Sequence, residues 1–103
     1  MIQSEGLSIA HSFKERLAKE GIPVKQVMLY GSHAKGTSRE DSDIDIAVVC
    51  LPFKKTRGEE MDDLFWLGSR VDLRIEPICF HPEDLDEKYS TIVQEVKRTG
   101  IPV

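Results

Sequence analysis

Apolar residues recur along this chain with two different periods, and the switches between them mark out the elements. Leu7, Ala10, Phe13 and Leu17 fall three or four residues apart, with Lys14, Arg16 and Lys19 largely elsewhere. That spacing predicts a helix over 7–20, stopped by Gly21 and Pro23. Val24 to Tyr30 reads as a strand, with Val27 and Leu29 on one face and Met28 and Tyr30 on the other. A Gly-Ser turn leads into a short helix over 32–36, followed by a polar loop over 36–42. Residues 43–50 form a second expected strand, and 51–58, with its Pro, Lys and Gly, a loop. A helix is expected over 59–67, where acidic residues crowd the first turns and suit the helix dipole. Residues 71–80 alternate as a third strand, and a short helical turn begins at Pro82. A last helix over 91–98 carries a capping-box pattern in Thr91 and Gln94 and ends at Gly100 and Pro102.

The resulting order is helix, strand, short helix, strand, helix, strand, helix. It predicts a small α/β (α+β) domain in which a mixed sheet has helices packed against it. The 103 residues are expected to form one domain, 1–103, long enough for a hydrophobic core of its own. No apolar run approaches the ~20 residues of a membrane span, and the N-terminus has no signal-peptide pattern, so a cytoplasmic protein is expected. The net charge of -4 argues against life on a nucleic-acid backbone, and Lys54, Lys55 and Arg57 read as a solvated loop. Cys50 and Cys79 match no metal-binding spacing; two buried, reduced thiols are expected.

One segment resists this accounting. In Ser42-Asp-Ile-Asp-Ile-Ala-Val-Val49 two acids interrupt a strand otherwise fit for the core. Side chains at i and i+2 share a face, so Asp43 and Asp45 point one way while Ile44, Ile46 and Val48 point into the core. The remaining face of the strand is thereby left to the acids. Two carboxylates held this close repel, and a hard divalent cation such as magnesium removes the conflict. A bare Asp-x-Asp also occurs on solvated edge strands, but here a Gly-Ser turn precedes it by twelve residues. Gly31 lets a ligand approach the backbone, and Ser32 with the amides of a helix start suits phosphate oxygens. A phosphate cradle beside metal-binding carboxylates reads as a nucleoside triphosphate site.

Gly31-Ser32, ten intervening residues, then Asp43-Ile44-Asp45 resembles the signature of the DNA polymerase β-like nucleotidyltransferase superfamily. The wider segment, GSHAKGTSREDSDIDIAVV, is similar to its minimal nucleotidyltransferase branch of short, single-domain proteins. The resemblance implies a third carboxylate on a later strand. Asp72 and Glu76 share one face of the expected third strand; Glu76 is the first choice, with Asp72, in a Val-Asp-Leu pattern, as the fallback. It further implies two magnesium ions held by Asp43, Asp45 and Glu76, ATP as nucleotide donor and Gly31 and Ser32 against the phosphates. The reaction implied is transfer of AMP to an acceptor hydroxyl with release of pyrophosphate. Relatives of this branch pair with a small helical protein of the HEPN type as antitoxin to toxin, which makes such a partner the implied acceptor. The competing reading is a domain that neutralises its partner by contact alone. The family commonly has arginines around the turn where this chain has His33 and Lys35. His33, His11 and His81 otherwise read as ordinary, partly exposed histidines.

Overall fold

The computed structural model describes residues 3–37 and 42–103, so most of the polar loop expected over 36–42 lies outside the described residues. Four helices, α1 (Gln3–Lys19), α2 (Ser32–Lys35), α3 (Arg57–Ser69) and α4 (Thr91–Thr99), accompany four strands. These are β1 (Val24–Tyr30), β2 (Ile44–Cys50), β3 (Ile75–Phe80) and β4 (Ile101–Pro102), and a 3-10 turn spans Pro82–Asp86. The sheet runs β3-β2-β1-β4. β1 is antiparallel to both β2 and β4, while β2 and β3 are parallel. The expected mixed α/β architecture is what forms.

The period-two alternation of the strands sorts side chains onto two apolar faces. Val27 and Leu29 of β1, Ile44, Ile46, Val48 and Cys50 of β2, and Ile75 and Cys79 of β3 pack with Ala10, Phe13 and Leu17 of α1 and Leu64 and Leu67 of α3. On the other face Met28, Tyr30, Ala47, Val49 and Phe80 pack under Val93 and Val96 of α4. This corrects the expectation that the acids own their whole face of β2. Ala47 and Val49 on that face are buried, at 0% and 3% exposure. Only the N-terminal end of β2, beyond the cover of α4, is left for chemistry.

α1 begins at Gln3, four residues before its expected start, and two further starts and one cap differ for local reasons. The third strand begins at Ile75 rather than residue 71, because Val71 and Asp72 donate their amides to the Gly68 carbonyl and close the end of α3 as a turn. α3 begins two residues early, since the Thr56 hydroxyl caps it by accepting from the Glu59 amide. α4 is capped by Ser90, whose side chain accepts from the Val93 amide, and not by the Thr91–Gln94 pair. β4 was not expected at all: two residues are too few for any pattern to register.

Candidate active site

β1 ends at Tyr30, and the register across the sheet sets Tyr30 opposite Asp45 and Asp45 opposite Glu76. Residues in register on neighbouring strands share a face, so the three form a row across one end of the sheet. Asp43 is exposed and lies just before β2, which begins one residue later than the expected start at 43. α4 adds Glu95, which pairs with Lys35 of α2 at 3.6 Å. Among the described residues these acids do not close into a set of three ligand atoms within 4.8 Å of one another. The triad Asp43, Asp45, Glu76 is gathered but open.

Gly31 is the joint between the strand and this acidic end. Its φ of 73° is a conformation that side-chain-bearing residues rarely adopt. A Cβ on it would stand 2.5 Å from Asp45 Oδ2, well inside contact distance. The Gly31 amide is occupied, donating to Thr99 Oγ1 at 3.3 Å, while the Thr99 hydroxyl donates to the Glu95 carbonyl. What Gly31 contributes is therefore space beside a carboxylate, and the end of α4 holds it in place. Ser32, half-buried, opens α2, and its carbonyl accepts from the Thr37 amide at 2.9 Å.

Charge crowding is visible in the protonation of the row. Burial, and then the neighbouring carboxylates of Asp43, Glu76 and Glu95, push the Asp45 carboxyl up from 3.8 to about 6. The same burial, with Asp45, Glu76 and Glu95, raises the Tyr30 phenol to about 12. Strain of this kind is what a hard cation relieves, and an all-oxygen carboxylate donor set suits magnesium.

Asp72, the alternative third acid, is placed otherwise. It lies in the turn before β3 and accepts from the Arg74 amide at 2.9 Å and from its guanidinium at 3.0 and 3.1 Å. Those Arg74 hydrogen bonds hold its carboxyl below the usual carboxylate range. The acid next to Asp45 is Glu76.

His33 departs from the expectation of a partly exposed helix residue. It is fully buried against α1, with Gly6 leaving room for its ring, and burial lowers its pKa. Neither ring nitrogen makes a well-formed hydrogen bond among the described residues, and the nearby Asp43 backbone only partly offsets the burial. His81, read as ordinary, is engaged at both ring nitrogens, by Glu60 and Arg57. The basic trio is partly spent on ion pairs: Lys54 with Asp63, and Arg57 with Asp84. Pattern reading passed over Glu95, Thr99 and Tyr30. The one signal for Glu95 and Thr99 was their spacing of four along α4.

The protein-family model described as "Polymerase beta, Nucleotidyltransferase" matches residues 12–101. Among curated proteins, Putative protein adenylyltransferase MJ1305 of Methanocaldococcus jannaschii is 32% identical over 74 residues, 68% of this chain and 50% of the relative. The chain thus spans about half the length of that protein. Among solved structures, a toxin-antitoxin crystallised with AMP-PNP superposes with a TM-score of 0.65 at 24% identity, over 90% of this chain and 70% of that one. A putative nucleotidyltransferase from Sulfolobus solfataricus gives 0.64 at 22% identity, over 97% and 80%. The MntA-HepT toxin-antitoxin gives 0.59 at 20%, over 93% and 69%. With nine-tenths of its sequence matched and the Gly-Ser turn set against the Asp-x-Asp strand, the chain belongs to the polymerase β nucleotidyltransferase family.

Proposed function

We propose that the protein transfers a nucleoside monophosphate, AMP from ATP, to an acceptor hydroxyl on a small helical partner of the HEPN type. The observation that carries this reading is the row Tyr30–Asp45–Glu76 with Gly31 pressed against Asp45. The family match and the likeness to a protein adenylyltransferase support the donor and the reaction class. The likeness to a toxin-antitoxin solved with AMP-PNP supports the partner class.

In this reading Asp43, Asp45 and Glu76 hold magnesium, which when bound offsets phosphate charge and lowers the pKa of an attacking hydroxyl. The chain's own contributions are more specific. Gly31 leaves the space through which phosphate oxygens reach the strand end, and Ser32 offers them its hydroxyl. Tyr30, its phenol raised to about 12, keeps its proton at working pH and remains a hydrogen-bond donor beside the acids. Glu76, besides holding the ion, would take the acceptor's proton. Lys35, at the mouth beside Glu95, supplies one positive charge toward the triphosphate.

The test is intact-mass measurement of the co-expressed partner after incubation with ATP and magnesium. A gain of one or more AMP units, lost in Asp43→Asn and Asp45→Asn variants that still fold, is the expected result. Full inhibition of the partner with no mass change would overturn the transferase reading in favour of neutralisation by contact.

A further inference from the structure

On the sheet face opposite Asp45, a second group of ligand-type side chains converges. Cys50 ends β2, and Cys79 and His81 lie two residues apart at the end of β3. The parallel register places Cys79 against Val48, so Cys50 falls level with His81. Glu60 of α3 caps the three. Cys50, Cys79 and Glu60 are 0%, 4% and 1% exposed, and the His81 side chain 12%. The described residues contain one set of three His, Cys, Asp or Glu ligand atoms within 4.8 Å of one another, and it is Glu60, Cys79 and His81. The Cys50 sulfur lies 3.6 Å from that of Cys79 but stands outside that set, farther than 4.8 Å from the Glu60 and His81 ligand atoms.

We propose that Cys50, Cys79, His81 and Glu60 form a structural site for a thiophilic divalent cation of the zinc type, separate from the nucleotide cleft. Two of the separations already match those around a tetrahedral ion. Two thiolates each ~2.3 Å from a tetrahedral centre stand about 3.8 Å apart, and a thiolate and a carboxylate oxygen about 3.5 Å. The observed separations are 3.6 Å for Cys50 Sγ to Cys79 Sγ and 3.8 Å for Cys79 Sγ to Glu60 Oε1. Loading must open the His81 Nε2 to Glu60 Oε1 edge, now a 2.7 Å hydrogen bond, and turn the Cys50 sulfur in toward both groups. Glu60 divides its labour suitably. Oε2 accepts from the Phe53 and Lys54 amides at 2.6 and 3.3 Å, which leaves Oε1 directed at the cluster. Soft thiolates and an imidazole select zinc over magnesium, so the two sites sort their cations by chemistry.

The proton balance is explicit. Loading releases the two thiol protons to solvent, and the imidazole proton passes through solvent from Nε2 to Nδ1. Arg57, which donates to Nδ1 at 2.8 Å in the unloaded cluster, gives up that contact and keeps its 2.8 Å pair with Asp84. Two thiolates and a carboxylate around a divalent cation leave one net negative charge, and the guanidinium remains beside it. The bound ion would tie β2, β3 and the start of α3 together.

Cobalt(II) alone, titrated into the full chain under a non-thiol reductant, is the first probe. One equivalent is expected to give thiolate-to-cobalt charge-transfer absorption and tetrahedral d–d bands, both bleached by zinc. Cys50→Ser and Cys79→Ser should each lose charge-transfer intensity, and His81→Ala should weaken cobalt binding roughly tenfold or more. Asp45→Asn should leave the spectrum unchanged, which separates this site from the nucleotide cleft. Because serine variants could fail to fold, the unaltered protein provides a second readout: zinc should release two protons per equivalent in weak buffer, with a native mass of one zinc less two hydrogens. An octahedral cobalt spectrum, proton release near zero, or a spectrum indifferent to Cys50→Ser would overturn the proposal. So would oxidation of the pair to a disulfide in protein that binds neither ion.

Discussion

At the scale of single residues, the acidic end of the sheet is poised against its own stability. Asp45 has a carboxyl raised to about 6 in the folded chain against an ordinary value of 3.8. The folded state therefore binds the proton more tightly than the unfolded one, and stability falls as pH rises from about 4 to about 6. Above that window the cation-free protein carries the full penalty of an ionised, crowded carboxylate; below it the penalty is gone. Asp45→Asn should then raise the melting temperature of cation-free protein at pH 7, by a free energy on the order of 1 kcal/mol after allowance for partial exposure. The gain should vanish at pH 3.5, as a pair of thermal melts at the two pH values would read. Gly31 makes the opposite case. Gly31→Ala forces a Cβ to 2.5 Å from Asp45 Oδ2 at a φ of 73°, so it should cost roughly 1–3 kcal/mol and weaken magnesium-dependent ATP binding in calorimetry. An alanine variant with unaltered stability and affinity would show that this space is not used.

At the scale of elements, what the sequence discloses depends on how far apart the deciding contacts lie. β1 was legible to the residue because its alternation serves two apolar layers; α1 was legible in its buried stripe of Ala10, Phe13 and Leu17 but starts four residues earlier than that stripe announced. The Asp-x-Asp and Gly-Ser placements at one end of the sheet were legible because each is a local pattern. The start of β3 was not, since Asp72 spends its carboxylate on Arg74 two residues away and bends the chain that alternation would have kept straight. The Glu60–His81 and Cys50–Cys79 contacts bridge 21 and 29 residues, beyond the reach of any periodicity. α4 offers a clean test at this scale. Its amphipathic face covers Ala47 and Val49, and its C-terminal turn positions Glu95 and Thr99 at the site. If Ser90 caps it, Ser90→Ala should cost about 1 kcal/mol and Thr91→Ala only a few tenths, measured by denaturant unfolding at fixed m-value. The reverse ranking would restore the capping box that the sequence suggested.

At the scale of the whole molecule, the net charge of -4 is unevenly spent. Asp43, Asp45, Glu76 and Glu95 gather at one end of the sheet, where Glu95 is paired with Lys35 and Arg98. No helix of the described residues is long and apolar enough to cross a membrane. Under the proposed function, the gathered carboxylates make the folded chain bind a hard cation better than the unfolded one does. Linkage then turns occupancy into stability: at a free magnesium concentration ten times Kd the gain is about 1.4 kcal/mol, and at a hundred times about 2.7 kcal/mol. Melting temperature without nucleotide should therefore climb with magnesium, return to its starting value on addition of chelator, and respond little to sodium chloride at matched ionic strength. The climb should be lost in Asp45→Asn, whose own melting point starts higher, so that the two curves converge as magnesium rises. Parallel curves would mean that the ion acts by general screening, and that the row of carboxylates is held in tension by something other than a cation.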